Sequence, residues 1–301
     1  METVNTGMKI GITGADGQLG KALQALFRDK EIPFVGWDSS TLDITNRKLC
    51  ENLISESQLT HIINCAAWTD VDLAEESRES VMAVNWHGAQ NVYDVSRKNG
   101  LVMFQISTDY VFGGNRKVPW NASDNHGPLN VYGESKSMFE KSCLLNKNES
   151  LYIFRTSWLY SEWRNNFVKK VLRKGLANEN DLKIVNDQFG QPTSADDLAA
   201  TILTTINDSL PFGVYHATNQ GKASWYQLAR EIFFLAELNP ERIKQIESSD
   251  LLTLAKRPSY SVLANNTFSS VGAGEMRDWK SALSARFSKI LKSISSEGYD
   301  S

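Results

Sequence analysis

The chain has 301 residues, of which 41% are hydrophobic and 22% are charged, and its formal net charge is −3. This composition is typical of a globular protein with one or two domains. The charge provides no basic field to attract nucleic acid or an anionic membrane, so neither is expected as a partner.

The cysteines Cys50, Cys65 and Cys143 are scattered and odd in number, which excludes a disulfide framework and favours a reducing compartment. No apolar run approaches the ~20 residues of a membrane span. The opening residues, METVNTG, lack the apolar core of a signal peptide. We therefore expect a cytoplasmic protein. We expect no metal site, because the histidines are isolated and the acids of residues 70–76 suit the first turn of a helix.

The first motif joins a strand to a helix. Residues 8–13 are apolar and rich in β-branched side chains, which predicts a buried strand. The sequence GADGQLG at 14–20 follows and opens a helix from Leu19 to about Asp29. Strand, G-x-x-G-x-x-G and helix together indicate a dinucleotide-binding turn, in which glycines let backbone amides approach a pyrophosphate. An ordinary glycine-rich turn is the alternative, and the flanking elements make it less probable.

A second strand, residues 32–38, ends in Asp38, which lies 18 residues after Gly20. A dinucleotide-binding fold places an acid about there to bind the ribose 2′-hydroxyl. The alternative is an acid that caps a turn. Residues 37–41 contain no arginine to accept a 2′-phosphate, so NADH is favoured over NADPH.

Further strands are predicted at 60–67, 101–108 and 151–155, with helices ending near Ser57 and spanning about 79–98. Thr108 ends a continuously apolar strand, where ligands bind in doubly wound sheets. A long loop, 109–130, follows it.

The pattern predicts an α/β fold: a doubly wound parallel sheet of the Rossmann type with a smaller, partly interleaved carboxyl-terminal substrate domain. Residues 1–155 form the dinucleotide-binding domain, to which 187–220 return, and 156–301 form mainly the substrate domain. The second half contains helices near 167–175, 195–206, 224–238 and 278–292, and short strands near 182–186, 213–217 and 242–247. A polar tail from Ser293 is expected to be loose.

Tyr132 and Lys136 lie four positions apart at the start of a predicted helix, so they share one face of it. A phenol has a free pKa of about 10, and a nearby ammonium lowers that value. Such a phenol is a suitable general acid at neutral pH. The spacing alone is weak evidence, because it is common on helix surfaces.

Several motifs occur together in chain order: TGADGQLG (13–20), AAWTDVDLAE (66–75), STDYVFGG (107–114), YGESK (132–136), RTSWLY (155–160), DQFGQPTSADDLA (187–199) and RPSYSVL (257–263). Together they resemble the dTDP-4-dehydrorhamnose reductase family of the extended short-chain dehydrogenase/reductase superfamily. The resemblance runs from Met8 to about Leu263. It implies reduction of a 4-keto sugar on a nucleoside diphosphate by a nicotinamide cofactor.

The resemblance also assigns roles to individual positions. It implies a catalytic trio of Thr108, Tyr132 and Lys136, with Lys136 holding the nicotinamide ribose. The residues implied to line the cofactor are Gly14, Gly17, Gln18, Leu19, Gly20, Asp38, Asp43, Ile44, Ala66, Ala67, Tyr132 and Lys136. The residues implied to line the substrate are Val71, Thr108, Asp109, Tyr110 and Trp158.

Some alternatives stay open at this stage. Trp158 suits either core packing or a wall of the sugar pocket, and Arg257 suits either a diphosphate clamp or a pair with a surface acid.

The chain also resembles other nucleotide-sugar enzymes of the superfamily, namely epimerases, UDP-linked ketosugar reductases and dehydratases. Dehydratases carry Asp-Glu after the threonine, where this chain has Asp109-Tyr110. A non-enzymatic subunit resembling the regulatory subunit of methionine adenosyltransferase is a further alternative. We expect a monomer or a homodimer.

Overall fold

The computed structural model describes residues 7–114, 116–144, 150–177 and 181–297. The opening stretch METVNTG therefore falls almost entirely outside the described residues. Within the described ranges, no helix is both long and apolar enough to cross a membrane.

A six-stranded parallel sheet forms the centre of the molecule, with strand order β10-β5-β4-β3-β1-β2. The strands, in chain order, are β1 (Ile10–Thr13), β2 (Phe34–Trp37), β3 (His61–Asn64), β4 (Val102–Thr108), β5 (Leu151–Thr156), β6 (Leu159–Tyr160), β7 (Leu182–Val185), β8 (Phe189–Gly190), β9 (Thr193–Ser194), β10 (Gly213–His216), β11 (Ala223–Ser224) and β12 (Ile243–Ile246). The reversal of strand order between β1 and β3 creates the crevice in which doubly wound sheets bind ligands. The predicted fold class is confirmed.

Helices cover both faces of this sheet. The α-helices, in chain order, are α1 (Gln18–Asp29), α2 (Arg47–Glu56), α3 (Val71–Glu76), α4 (Arg78–Met82), α5 (Ala89–Lys98), α6 (Val131–Leu144), α7 (Phe167–Leu176), α8 (Ala195–Asn207), α9 (Trp225–Leu235) and α10 (Trp279–Glu297). A π-helical segment, Ala83–Gly88, joins α4 to α5. The helix expected at about 79–98 therefore forms, but with a widened turn in its middle.

Alternation along the strands divides the buried side chains between two apolar cores. Phe104 in β4 and Phe154 in β5 belong to the core on one face, with α1 and α8. Met103 and Ile153, their neighbours in the chain, belong to the core on the other face, with α2 and α5. Successive strand side chains point to opposite faces, so a strand buried on both faces must be apolar throughout.

The second half of the chain contributes to two cores. α8 and β10 pack with the six-stranded sheet, whereas α7, α9 and α10 surround a third apolar core. The pairs β7–β12, β8–β11 and β6–β9 are separate two-stranded sheets. α10 continues to Glu297, so the tail expected to be loose from Ser293 is helical up to that residue; residues 298–301 lie outside the described ranges.

Candidate functional site

The helix that carries Tyr132 and Lys136 begins at the carboxyl edge of the sheet because neighbouring side chains satisfy its first amides. Asn130 accepts a hydrogen bond from the Gly133 amide at 2.8 Å. Glu75, at the end of α3, accepts one from the Val131 amide at 2.8 Å. Free amides at a helix start need such acceptors. These two bonds fix the start of α6 beside the end of β4.

A close backbone contact then brings α6 against the turn that follows β4. A Cβ atom at Gly133 would lie 2.2 Å from the carbonyl oxygen of Tyr110, so this position accepts only glycine. The Tyr110 and Tyr132 rings meet edge to face at a centroid distance of 6.1 Å. The Thr108 hydroxyl faces the Tyr132 phenol and lowers its pKa in part. The structure therefore brings Thr108 and Tyr132 together, as predicted from the sequence.

Burial dominates the ionisation of Tyr132 and Lys136. It raises the pKa of Tyr132 to about 12, against a smaller lowering by the Thr108 hydrogen bond. Lys136 is buried, and its Nζ donates to the Ile106 carbonyl at 3.0 Å. Burial lowers the pKa of Lys136 to about 8. The sequence predicts that Lys136 lowers the pKa of Tyr132; in this structure burial outweighs any such effect, and the phenol is neutral at neutral pH.

The glycine-rich loop passes so close to neighbouring backbone that side chains are excluded. Gly14 has φ +61°, and a Cβ atom there would lie 2.6 Å from the Ala66 amide nitrogen. A Cβ atom at Gly20 would lie 2.5 Å from the Gly14 carbonyl oxygen. Gly17 precedes α1 with no side-chain cap, so the first amides of α1 keep no side-chain acceptor there. This cradle fits a pyrophosphate, which binds at uncapped helix starts.

Two predicted loop residues have mainly structural contacts. Leu19 is buried in the core beneath the sheet. The Gln18 side chain donates to the Leu159 carbonyl at 3.3 Å and accepts from Ser161 at 3.0 Å and Asn166 at 2.9 Å. Gln18 thus ties the glycine-rich loop to the segment after β5, a link between distant residues that the motif alone does not indicate.

Asp38 lies at the end of β2 and accepts hydrogen bonds on one oxygen. Its Oδ1 receives the Ser40 and Thr41 amides at 3.0 and 2.9 Å and their hydroxyls at 2.7 and 2.9 Å. These bonds, led by that of Ser40, lower the pKa of Asp38 to about 2. The described part of the chain provides no hydrogen bond to Oδ2, so that oxygen remains available to a ribose hydroxyl.

The other predicted cofactor residues surround the same crevice. Asp43 is exposed and accepts from the Thr45 amide at 2.9 Å, while Ile44 is buried. Ala66 and Ala67 follow β3 and are half-buried, and the Ala66 amide lies 3.4 Å from Thr13 Oγ1. Their roles in binding a cofactor stay predictions.

The predicted substrate residues Asp109 and Tyr110 directly follow Thr108, and Val71 opens α3. Asp109 and Tyr110 are buried in the turn after β4, and Val71 is half-buried at the first position of α3. Burial raises the pKa of Asp109 to about 7. The Asp109 carboxyl lies 3.1 Å from the Thr108 hydroxyl.

Trp158 is held in an aromatic stack. Its ring lies on Trp225 at a centroid distance of 3.5 Å with an interplanar angle of 8°, and Trp225 in turn contacts Phe167. A Cβ atom at Gly190 would lie 2.5 Å from the Trp158 ring, so only glycine leaves room for it. Trp158 has φ +45°, which is uncommon for a bulky residue and is often found at functional sites. The stack supports a packing role for Trp158, and a wall of the sugar pocket stays a prediction.

Arg257 pairs with Asp72, one of the two alternatives open from the sequence. Its guanidinium donates to the two carboxylate oxygens at 3.0 and 2.5 Å. The bridge joins α3 to the segment after β12 and lowers the pKa of Asp72. Diphosphate binding by Arg257 would require it to release or share this partner.

Sequence reasoning misses a buried polar network beneath the site. Arg155 and Glu140 are both almost fully buried, and the Arg155 guanidinium donates to Glu140 at 2.6 and 3.0 Å. Glu140 also accepts from Ser107, and Arg155 donates to the Ala122 carbonyl at 3.0 Å. His126 lies 2.8 Å from the same guanidinium. The network joins β4, β5, α6 and the long loop.

One signal could have revealed this network. Glu140 lies four residues after Lys136, so the predicted helix already places both on one face. An arginine at the end of an otherwise apolar strand requires a buried partner of opposite charge.

Comparison with known proteins finds similar proteins that match most of the chain. The family model described as RmlD substrate binding domain matches residues 8–292. The dTDP-4-dehydrorhamnose reductase of Streptomyces griseus is 38% identical over 280 residues, which cover 92% of this chain and 92% of that protein. The dTDP-4-keto-6-deoxy-D-glucose reductase of Streptomyces niveus is 36% identical over 276 residues, covering 92% and 95%.

A solved structure is also similar to this chain over most of its length. The dTDP-4-dehydrorhamnose reductase of Bacillus anthracis, crystallised in complex with NADP, has a TM-score of 0.88 and 36% identity, covering 94% of this chain and 99% of that chain. These similarities show that the chain belongs to the dTDP-4-dehydrorhamnose reductase family.

Proposed function

We propose that this protein reduces the 4-keto group of a nucleoside-diphosphate 6-deoxy sugar, such as dTDP-4-dehydrorhamnose, in the synthesis of deoxysugar precursors. The observation that carries the proposal is the proximity of Thr108 to a neutral, half-buried Tyr132 at the carboxyl edge of the sheet. A carbonyl that accepts a hydride develops negative charge on its oxygen, and a neutral phenol is the form that donates a proton to it. Proteins named as reductases of such sugars are similar to this chain over most of its length.

A nicotinamide cofactor, when bound, supplies the hydride. The glycine cradle at Gly14, Gly17 and Gly20 suits its pyrophosphate, because backbone amides are exposed there and side chains are excluded. Lys136, fixed by the Ile106 carbonyl, would hold the nicotinamide ribose.

Individual side chains of the protein then have separate roles in the reaction of the substrate. Tyr132 donates the proton to the keto oxygen, and the Thr108 hydroxyl donates a second hydrogen bond where the charge develops. The buried Arg155–Glu140 pair holds β5 and α6 in position from below. Asp109 and Tyr110 would line the sugar beside Thr108, and Trp158 would form a wall of the sugar pocket.

We also propose that NADH serves at least as well as NADPH. Asp38 keeps one carboxylate oxygen for a ribose hydroxyl, and its charge would repel a 2′-phosphate. Two cations that contact the glycine-rich loop, Lys21 and Arg164, both form salt bridges with Asp16. We further propose that the protein functions in the cytoplasm, where the free thiols Cys50, Cys65 and Cys143 stay reduced.

The deciding experiment is a turnover assay with dTDP- and UDP-linked 4-keto-6-deoxy sugars, each with NADH and with NADPH. We expect oxidation of the cofactor together with a sugar product two mass units heavier than the ketosugar, as mass spectrometry of the product resolves. Supplying dTDP-glucose in parallel tests for dehydration. A 4-keto product from dTDP-glucose, or no turnover of any ketosugar, would contradict the proposal.

A further inference from the structure

Thr156 carries a buried hydroxyl that no group of the described chain binds. It is the last residue of β5, and 7% of the residue is exposed. Its Oγ1 atom makes no hydrogen bond within residues 7–114, 116–144, 150–177 and 181–297. A hydroxyl that is removed from water without a partner costs free energy. Such groups are rare in folded proteins and often mark a catalytic or binding site.

Thr156 lies beside Thr108 at the carboxyl edge of the sheet. The two residues are partners in the parallel pair of β4 and β5, and each ends its strand. Phe104 and Phe154, an even number of residues earlier in these strands, contact each other in the core shared with α1 and α8. Because side chains alternate between the two faces of a sheet, Thr108 and Thr156 both point to that face. Their hydroxyl-bearing side chains are therefore neighbours.

The segment that follows Thr156 reaches the glycine-rich loop. The Leu159 carbonyl accepts a hydrogen bond from the Gln18 side chain at 3.3 Å, and the Ser161 hydroxyl donates to that side chain at 3.0 Å. Gln18 is the first residue of α1, whose uncapped start forms the cradle described above. Three residues of extended chain span at most about 10 Å. Thr156 therefore lies beside Thr108 on one side and close to the cradle on the other.

We propose that the Thr156 hydroxyl binds the carboxamide of the nicotinamide ring. This inference rests on the proposed ketosugar reduction. The pyrophosphate is expected at the glycine cradle and the keto oxygen at Thr108, so the ring that carries the hydride has to lie between these two places, where Thr156 lies. A carboxamide has N–H donors and a carbonyl acceptor, and a hydroxyl both donates and accepts. The two groups match in either orientation of the amide.

This hydrogen bond gives Thr156 a role that differs from that of Thr108. Thr108 would bind the oxygen of the sugar, whereas Thr156 would fix the rotation of the nicotinamide ring about its bond to the ribose. That rotation decides which face of the ring is turned toward the keto carbon, and correct orientation of reacting groups lowers the barrier of a reaction. Thr156 is thus a cofactor-binding residue in addition to those that the family resemblance implies.

The test compares ligand binding by the wild type, Thr156→Val and Thr156→Ser. Valine has nearly the same shape as threonine but no hydroxyl, so the dissociation constants for NADH and NADPH should rise about three- to tenfold, the effect of one lost hydrogen bond. The affinity for ADP-ribose, which lacks the nicotinamide, should not change. The affinity for dTDP-rhamnose, which would change if the hydroxyl bound the sugar, should also stay constant. Thr156→Ser keeps a hydroxyl and should recover most of the NADH affinity.

The Tm of the ligand-free protein distinguishes a hydroxyl that binds a ligand from one that stabilises the fold. Replacing an unpaired buried hydroxyl removes a cost, so ligand-free Thr156→Val should melt at the wild-type temperature or above it. Thr205→Val is the control, because the buried Thr205 hydroxyl donates to the Thr201 carbonyl at 2.9 Å. This control should lower the Tm and leave the NADH affinity unchanged.

Three results would overturn the role of Thr156: unchanged NADH and NADPH affinity in Thr156→Val, an equal loss for ADP-ribose, or a loss for dTDP-rhamnose alone. A lower Tm of ligand-free Thr156→Val would also overturn it, because the hydroxyl would then have a partner within the protein. A wild type that binds none of NADH, NADPH and ADP-ribose would instead contradict the proposed function.

Discussion

Asp38 and Asp109 occupy equivalent places, each directly after a strand of the same parallel sheet, yet their surroundings are opposite. Asp38 is partly exposed, and four donors from Ser40 and Thr41 hold its charge, with a pKa of about 2. Asp109 is buried, has one unpaired oxygen and a pKa of about 7. The surroundings, not the residue type, decide how readily a carboxyl ionises.

The contrast extends to the two sides of the site. The proposed cofactor side is built from short segments: a glycine turn and a local turn around Asp38. The proposed substrate side is assembled from distant parts of the chain, as the Asp72–Arg257 bridge and the Trp158–Trp225 stack illustrate. Changes on the substrate side should therefore affect both chemistry and folding, and changes on the cofactor side mainly cofactor choice.

The largest effect is expected from Tyr132→Phe. The variant loses only the hydroxyl that we propose to protonate the sugar oxygen, so kcat should fall by about 10²- to 10⁴-fold while cofactor affinity stays nearly constant. Steady-state rates and a cofactor titration measure the two quantities.

Lys136→Met is the matched comparison on the same helix. Lys136 is expected to hold the cofactor ribose, so both kcat and cofactor affinity should fall. A Tyr132→Phe variant with near wild-type kcat would show that the proton donor lies elsewhere.

The sequence predicts the sheet and the shared helix face of Tyr132 and Lys136 because their signals are local, whereas the catalytic trio is implied by the resemblance to the family. Residues four apart on a helix share a face, and an apolar run marks a buried strand, whatever the rest of the chain does. The pKa of Tyr132 is not predictable in this way, because it depends on burial by residues far along the chain. The Arg155–Glu140 pair is likewise a contact between strand and helix, and no local pattern specifies it.

The next largest effect is expected from Arg155→Met, which breaks the buried polar network of Arg155 and Glu140. Arg155→Met leaves Glu140 buried without a partner, so the free energy of unfolding should fall by about 3–5 kcal/mol, as urea denaturation measures.

Arg78→Met is its control, because Arg78 pairs with Glu134 on the same helix but at the surface, with both side chains well exposed. Exposed pairs contribute about 1 kcal/mol or less. Equal losses of unfolding free energy in the two variants would show that burial of the Arg155–Glu140 pair does not increase its contribution to stability.

A smaller effect is expected from Trp158→Ala. Losing a half-buried ring that stacks on Trp225 should weaken sugar-nucleotide binding by about 2 kcal/mol, seen as a higher KM, with little change for the cofactor. Trp158→Phe retains a ring and should recover part of the loss. An unchanged KM with a lower Tm would assign Trp158 to packing alone.

The smallest effect, and the sharpest test of the contrast between the two aspartates, is cofactor choice in Asp38→Ala. The Asp38 Oδ1 is fixed by Ser40 and Thr41, so the carboxylate cannot readily turn away to admit a 2′-phosphate. Removing it takes away an acceptor for the ribose hydroxyl and a repulsive charge at once. The kcat/KM with NADH should fall roughly tenfold, and that with NADPH should stay level or rise.

The matching variant is Asp43→Ala, which removes a nearby carboxylate that also accepts from its own turn. It should change the two cofactors alike, because Asp43 does not end β2. The related structure that contains NADP shows that this family can hold the phosphate, so the preference must be measured on this chain. A wild type that strongly prefers NADPH, or an Asp38→Ala variant with an unaltered preference, would mean that the Asp38 carboxylate does not set the choice of cofactor.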